Sequence, residues 1–97
     1  AFHDVPPDVV DQVIPLLTAE PVAPYEVPFT TTDQGFGRVR SYYIETRRDR
    51  IVLPAIQQAT QARMKFERVF SLHAGHSPFF STPNELVSCL DSVARDM

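Results

Sequence analysis

With 97 residues, 43% hydrophobic and 22% charged, the chain has the composition of an ordinary soluble globular domain but is short for an enzyme that encloses its own cleft. A formal net charge of -3 gives no electrostatic basis for binding nucleic acid or an anionic membrane. No run approaches the ~18 apolar residues of a membrane span, no charged-then-apolar leader opens the chain, and the single Cys89 excludes an internal disulfide, which points to a reducing, cytoplasmic setting.

The chain opens on Ala1-Phe2-His3-Asp4 rather than on methionine, as a processed product or part of a longer chain would. Pro6-Pro7 followed by Val9, Val10, Val13, Ile14, Leu16 and Leu17 predicts a helix over 8–17, with most apolar residues on one face. Pro15 removes a hydrogen bond and crowds the preceding turn, so a kink or an early end is expected there. From 20 to 36, Pro21, Pro24, Pro28 and the run Thr30-Thr31-Thr32-Asp33-Gln34-Gly35 predict a connector laid over a surface.

The rest is more regular. Val39 to Ile44 predicts a strand from its Val, Tyr and Ile content. Pro54 opens a helix carrying Ile56, Ala59, Ala62 and Met64, and Val69 to Leu72 predicts a second strand. Thr82-Pro83-Asn84-Glu85 has the pattern of a capping box, and Leu86, Leu90, Val93 and Met97 form one apolar stripe on the helix behind it. Two strands separated by a helix are parallel if they are neighbours, and are then joined by a right-handed crossover. The expected class is therefore α/β. A parallel pair is normally covered on both faces, and two strands with three helices scarcely cover themselves. The chain reads as part of a larger sheet.

Two loops at the ends of these strands carry the candidate chemistry. Tyr42-Tyr43-Ile44 leads to Arg47-Arg48-Asp49, and Arg68-Val69-Phe70-Ser71-Leu72 leads to His73-Ala74-Gly75-His76. On parallel α/β sheets, ligands bind outside the carboxyl ends of the strands. An acid followed by a histidine is the order in which such folds place the partners of a nucleophilic serine. There the histidine carries the proton and the carboxylate orients it. No Gly-x-Ser-x-Gly occurs in the chain, so the expected nucleophile is absent from it. Taken singly, a Gly-His pair is a turn, and an aspartate among arginines is a surface ion pair. Only their joint placement singles out Asp49 and His76.

Ser77 and Phe79, flanking His76, are candidates to border a substrate, although Phe79-Phe80 as a pair suits packing under the last helix better. Ser77 is too close to His76 in sequence to be its nucleophile. His73 and His76 with Asp49 would be the bare minimum for a zinc site, and no further Cys-His cluster supports one, so neither metal nor other cofactor is expected. Cys89 sits beside the last apolar stripe, as a half-buried thiol would.

Phe2-His3-Asp4-Val5-Pro6-Pro7, Pro21-Val22-Ala23-Pro24, Phe36-Gly37-Arg38-Val39, Arg48-Asp49-Arg50 and Gly75-His76-Ser77-Pro78-Phe79-Phe80-Ser81-Thr82-Pro83 together resemble the C-terminal third of α/β-hydrolase superfamily esterases. The nearest group is similar to the plant methylesterase and hydroxynitrile lyase family and its bacterial relatives. The resemblance implies that Asp49 is the triad acid, His76 the triad histidine, and a serine on a preceding segment the nucleophile. It implies an α/β-hydrolase fragment holding the last two strands, with 1–30 the end of a cap and its Pro-rich return and 31–97 the core. The implied partners are the N-terminal part of the hydrolase, or a second chain completing the sheet, and a small ester-type substrate; a homo-oligomer is compatible. In one departure, members of the family this resembles usually carry proline four residues after the acid, whereas Pro54 follows Asp49 by five. Two other readings stay open at this stage: a lyase using the same pair, and a non-catalytic binding or assembly piece.

Overall fold

The computed structural model describes residues 1–97. Helix α1 spans Pro7–Val13, with proline at its first position, where a missing N–H is harmless. It passes into a 3-10 turn over Ile14–Leu16, and the chain is extended by Leu17. Pro15 thus ends the helix early, as its lost donor requires. The stretch that follows is exposed and holds only the short helix α2, Ala23–Glu26, and a 3-10 turn at Phe36–Arg38.

Strand β1 is Tyr42–Thr46 and strand β2 is Arg68–Leu72. They pair in parallel, with Tyr42 opposite Arg68 and Thr46 opposite Leu72. The sheet has only these two strands, so each leaves one edge unpaired. β1 starts later than its composition predicts. Val39 N–H bonds back to the Phe36 carbonyl at 3.0 Å, closing the 3-10 turn and keeping Val39 out of the ladder.

Between the strands lies helix α3, Pro54–Arg63. The residue it buries is polar rather than one of the apolar residues it carries. Gln57 is buried, whereas Ile56 is 53% exposed. The reason is local: the end of β1 has backbone polar groups that need partners, and Gln57 supplies them. After β2 come the single turn α4, Pro78–Ser81, and the long helix α5, Pro83–Asp96. The Asp96 end of α5 is tied to the head of the sheet by an Arg40 Nη1 bond to its carbonyl (2.9 Å) and an Arg68–Asp96 ion pair (3.7 Å). The capping box predicted at its other end does not form. Thr82 Oγ1 turns back to the Pro78 carbonyl at 3.4 Å and caps no α5 amide, because Thr82 also closes the preceding turn.

Burial is concentrated in one place. Of the eight buried residues, all but Val5 and Gln57 lie at the ends of the strands or in the loops that leave them. Ile51, Leu53, Val87 and Leu90 remain half-exposed or more, and Val69 nearly so. The chain has 7619 Å² of accessible surface, about 2,000 Å² more than a compact protein of its mass presents. Its radius of gyration is 15.6 Å, against about 12–13 Å for a compact domain of this length. No helix is long and apolar enough to cross a membrane.

Two outcomes are expected. Expressed alone, residues 1–97 should self-associate through the open strand edges and apolar faces, and light scattering should show it; a monodisperse monomer with one sharp melt would contradict that. Thr82→Ala should change stability by no more than about 0.5 kcal/mol, less than the ~1 kcal/mol of a working cap, in thermal melts.

Candidate active site

The parallel register places the ends of both strands side by side, and the chain leaves them as two stitched loops. Arg47 N–H bonds to the Leu72 carbonyl at 2.9 Å and Arg48 N–H to the Ala74 carbonyl at 3.0 Å. Asp49 and His76, 27 residues apart in sequence, meet across this seam with Asp49 Oδ2 3.1 Å from His76 Nδ1. The Asp49 side chain is only 4% exposed, while that of His76 is 40% exposed. An acid is enclosed and an imidazole is presented.

Asp49 is held by more than His76. Its Oδ1 accepts from the Ile51 and Val52 amides at 2.8 and 2.9 Å, and its Oδ2 also accepts from the Thr46 hydroxyl at 2.8 Å. Burial pushes the carboxyl up, but the Ile51 amide, the Thr46 hydroxyl, the Val52 amide and the His76 ring together outweigh it and hold the group below the usual carboxylate range. An ionised carboxylate only accepts, so Nδ1 of His76 carries the shared proton and Nε2 is left as the basic nitrogen. The turn after the acid is closed over it: the Ile51 and Val52 amides meet the carboxylate, and Leu53 is extended ahead of α3.

Beneath the acid loop lies a layer that sequence reading did not find. Gln57 Oε1 accepts from Thr46 N–H at 2.8 Å, and Gln57 Nε2 donates to the carbonyls of Thr46 (2.9 Å) and Val52 (2.7 Å). One amide therefore joins the end of β1, the acid loop and the first turn of α3. The available signal was a glutamine at a spacing from Pro54 that puts it in the first helical turn.

Ser77 is buried and its carbonyl accepts the Phe80 and Ser81 amides at 3.0 and 3.1 Å, while Phe79 is 57% exposed beside it. Phe80 turns inward, edge-on to Phe2 at 6.0 Å. His73 is exposed, and no three His, Cys, Asp or Glu side chains are placed to hold a metal ion. Cys89 is a half-buried free thiol on α5. A polar cavity of about 240 Å³ lies between Glu45, Thr46, Arg47, Pro54, Gln57 and Gln58, and neither Asp49 nor His76 lines it. No hydroxyl or thiol of the chain bonds to Nε2 of His76; the ring's one hydrogen bond is to Asp49.

No protein-family model matches the chain. Among curated proteins it is similar to the Arabidopsis thaliana protein named "Putative methylesterase 11, chloroplastic", 37% identical over 76 residues, which are 77% of this chain and 20% of that protein. The similarly named chloroplastic proteins 13 and 15 of the same plant are 28% and 29% identical over 95 and 96 residues, 97% of this chain and 21% and 22% of theirs. The chain is a relative of the plant methylesterases. It spans about a fifth of the length of these methylesterase relatives.

The network around Asp49 generates a pH test. Its folded carboxyl ionises at lower pH than in the unfolded chain, so the stability it lends is complete above about pH 4, the unfolded value. That stability is lost as the pH falls through the depressed folded value. Thr46→Val keeps the side-chain shape, removes one donor and brings the folded value closer to the unfolded one. The loss of unfolding free energy between pH 7 and pH 3 should therefore shrink, against an unchanged background from Asp4 and Glu45, whose carboxyls are also held low. Denaturant melts at the two pH values measure this; an equal loss in variant and parent would remove Thr46 from the account.

Proposed function

We propose that this chain supplies the acid and the histidine of a serine-hydrolase triad, as the last part of an α/β-hydrolase acting on esters. The observation that carries the reading is the 3.1 Å contact between Asp49 Oδ2 and His76 Nδ1, from loops leaving the same end of two parallel strands. The order acid-then-histidine, the names of the methylesterase relatives and the fifth of their length that is matched support it. So does the surplus of open surface, which suits a sheet continued by further strands.

In this reading residues 1–30 are the end of a cap and 31–97 the close of the core, and the serine lies on a preceding segment. Its hydroxyl gives its proton to Nε2 of His76 as the oxygen attacks the ester carbonyl carbon. Asp49 keeps Nδ1–H in place and stabilises the imidazolium, which then protonates the departing alcohol. A water repeats the cycle and releases the acid. Phe79, exposed beside the histidine, borders the substrate. The compartment is a reducing one, in keeping with the free Cys89. The unpaired strand edges also suit a second reading, a non-catalytic piece that completes a sheet with a partner or with its own copy.

Assays on a simple ester separate the two. The complete protein should turn it over, and residues 1–97 alone should not. Asp49→Asn should lower kcat by about 10⁴-fold, as the same change does in a serine-protease triad. His76→Ala should be at least as damaging, and the double variant barely worse, because the pair acts as one unit. If both single variants keep their activity while folded, the triad assignment fails.

A further inference from the structure

We propose that Asp4 is a positioning residue for His76: its carboxylate fixes the amide of Gly75 and thereby the loop that aims the imidazole at Asp49. The inference rests on the reading of His76 as the general base. Gly75 immediately precedes His76, and its amide donates to Asp4 Oδ2 at 2.6 Å across 71 positions of sequence. A charged acceptor at that distance makes a hydrogen bond about twice as strong as a neutral one. Glycine is what permits the approach, because a Cβ at position 75 would stand 2.6 Å from both Asp4 Oδ1 and His3 Cε1. The same N-terminal turn holds the loop on its other side, where Phe80 packs edge-on against Phe2.

This turn is also the best-anchored part of the first forty residues. Val5 is buried, and no other residue before Thr46 is. A turn needed only for packing would take an apolar residue at position 4, since a carboxylate there must be desolvated. Burial pushes the Asp4 carboxyl up, and the Gly75 amide leads the groups that outweigh it. Asp4 Oδ1 is buried without a partner, so only one of its two oxygens is engaged. An asparagine keeps an oxygen for the Gly75 amide, while the Ser81 hydroxyl, the next group to favour the ionised Asp4 carboxyl, can turn to accept from its NH₂.

The test uses the complete protein with Asp4→Ala, Asp4→Leu and Asp4→Asn. Three readouts apply: kcat and KM on a simple ester, the low-field proton resonance of His76 Nδ1, and hydrogen exchange at the Gly75 amide. Asp4→Ala should lower kcat about tenfold to a hundredfold, the range of a small misplacement of a catalytic group, with KM within about twofold. The His76 resonance should weaken and Gly75 should exchange faster. Asp4→Asn should restore all three; Asp4→Leu, which fills the space without an acceptor, should behave as Asp4→Ala and serves if the alanine variant does not fold. Parent-like kcat, resonance and exchange in folded Asp4→Ala or Asp4→Leu would overturn the proposal, as would an Asp4→Asn that folds without Gly75 protection. If the parent has no esterase activity, or His76→Ala retains it, the hydrolase reading fails instead, and the resonance and exchange measurements still decide what Asp4 does.

Discussion

Gln57 extends from the first turn of α3 to the last residue of β1, accepting from the Thr46 amide and donating to the carbonyls of Thr46 and Val52. Those backbone groups lie where a strand has run out and a loop has begun, so they have no ladder to join. Left buried and unpaired, each would cost on the order of 1–3 kcal/mol. A single side-chain amide satisfies all of them and in doing so sets the angle between strand, loop and helix. The Asp49 carboxylate is built on top of that joint. Its position follows from the glutamine beneath it as much as from its own bonds.

Above the joint the carboxylate has no freedom left. Two donors meet Oδ1 and two meet Oδ2, which fills the roughly four acceptor directions that a carboxylate offers. It can neither rotate nor trade partners without breaking a bond in a buried setting. A group so held suits an orienting role better than a proton-carrying one. The imidazole is the less constrained member: more exposed, and with one hydrogen bond. The same polarity of construction appears on the histidine loop, where the Gly75 amide is enclosed and the ring beyond it is open.

Much of this was legible in the sequence. Proline at the heads of α1, α3 and α5 marks helix starts because its fixed φ suits the first turn and its missing N–H is not needed there. The β-branched and aromatic content of 42–44 and 69–72 marks the strands, and Gly75-His76 and Asp49 could be paired because parallel strands bring their carboxyl ends together. What failed were inferences that treated a local pattern as if it acted alone. Thr82 has the chemistry of a cap, but the turn just before it claims the same residue. α3 carries Ile56, Ala59 and Ala62, yet the neighbouring strand end demands an amide rather than a methyl group. Gln57 and Asp4 were missed for a related reason: a lone polar residue has no periodicity, and its role exists only once distant backbone is brought beside it.

The register of the two strands also decides where the chain can change in length. Thr46 stands opposite Leu72, and from that shared line Asp49 is three residues out and His76 four. The pair meets because these two arms are matched. The crossover between the strands does not enter the count, so a residue gained or lost around 64–67 leaves both arms as they are. One added between Leu72 and His76 would carry the imidazole past its partner. The stretch from Arg50 to Leu53 likewise falls beyond Asp49, so a change of length there alters the crossover without altering the arm.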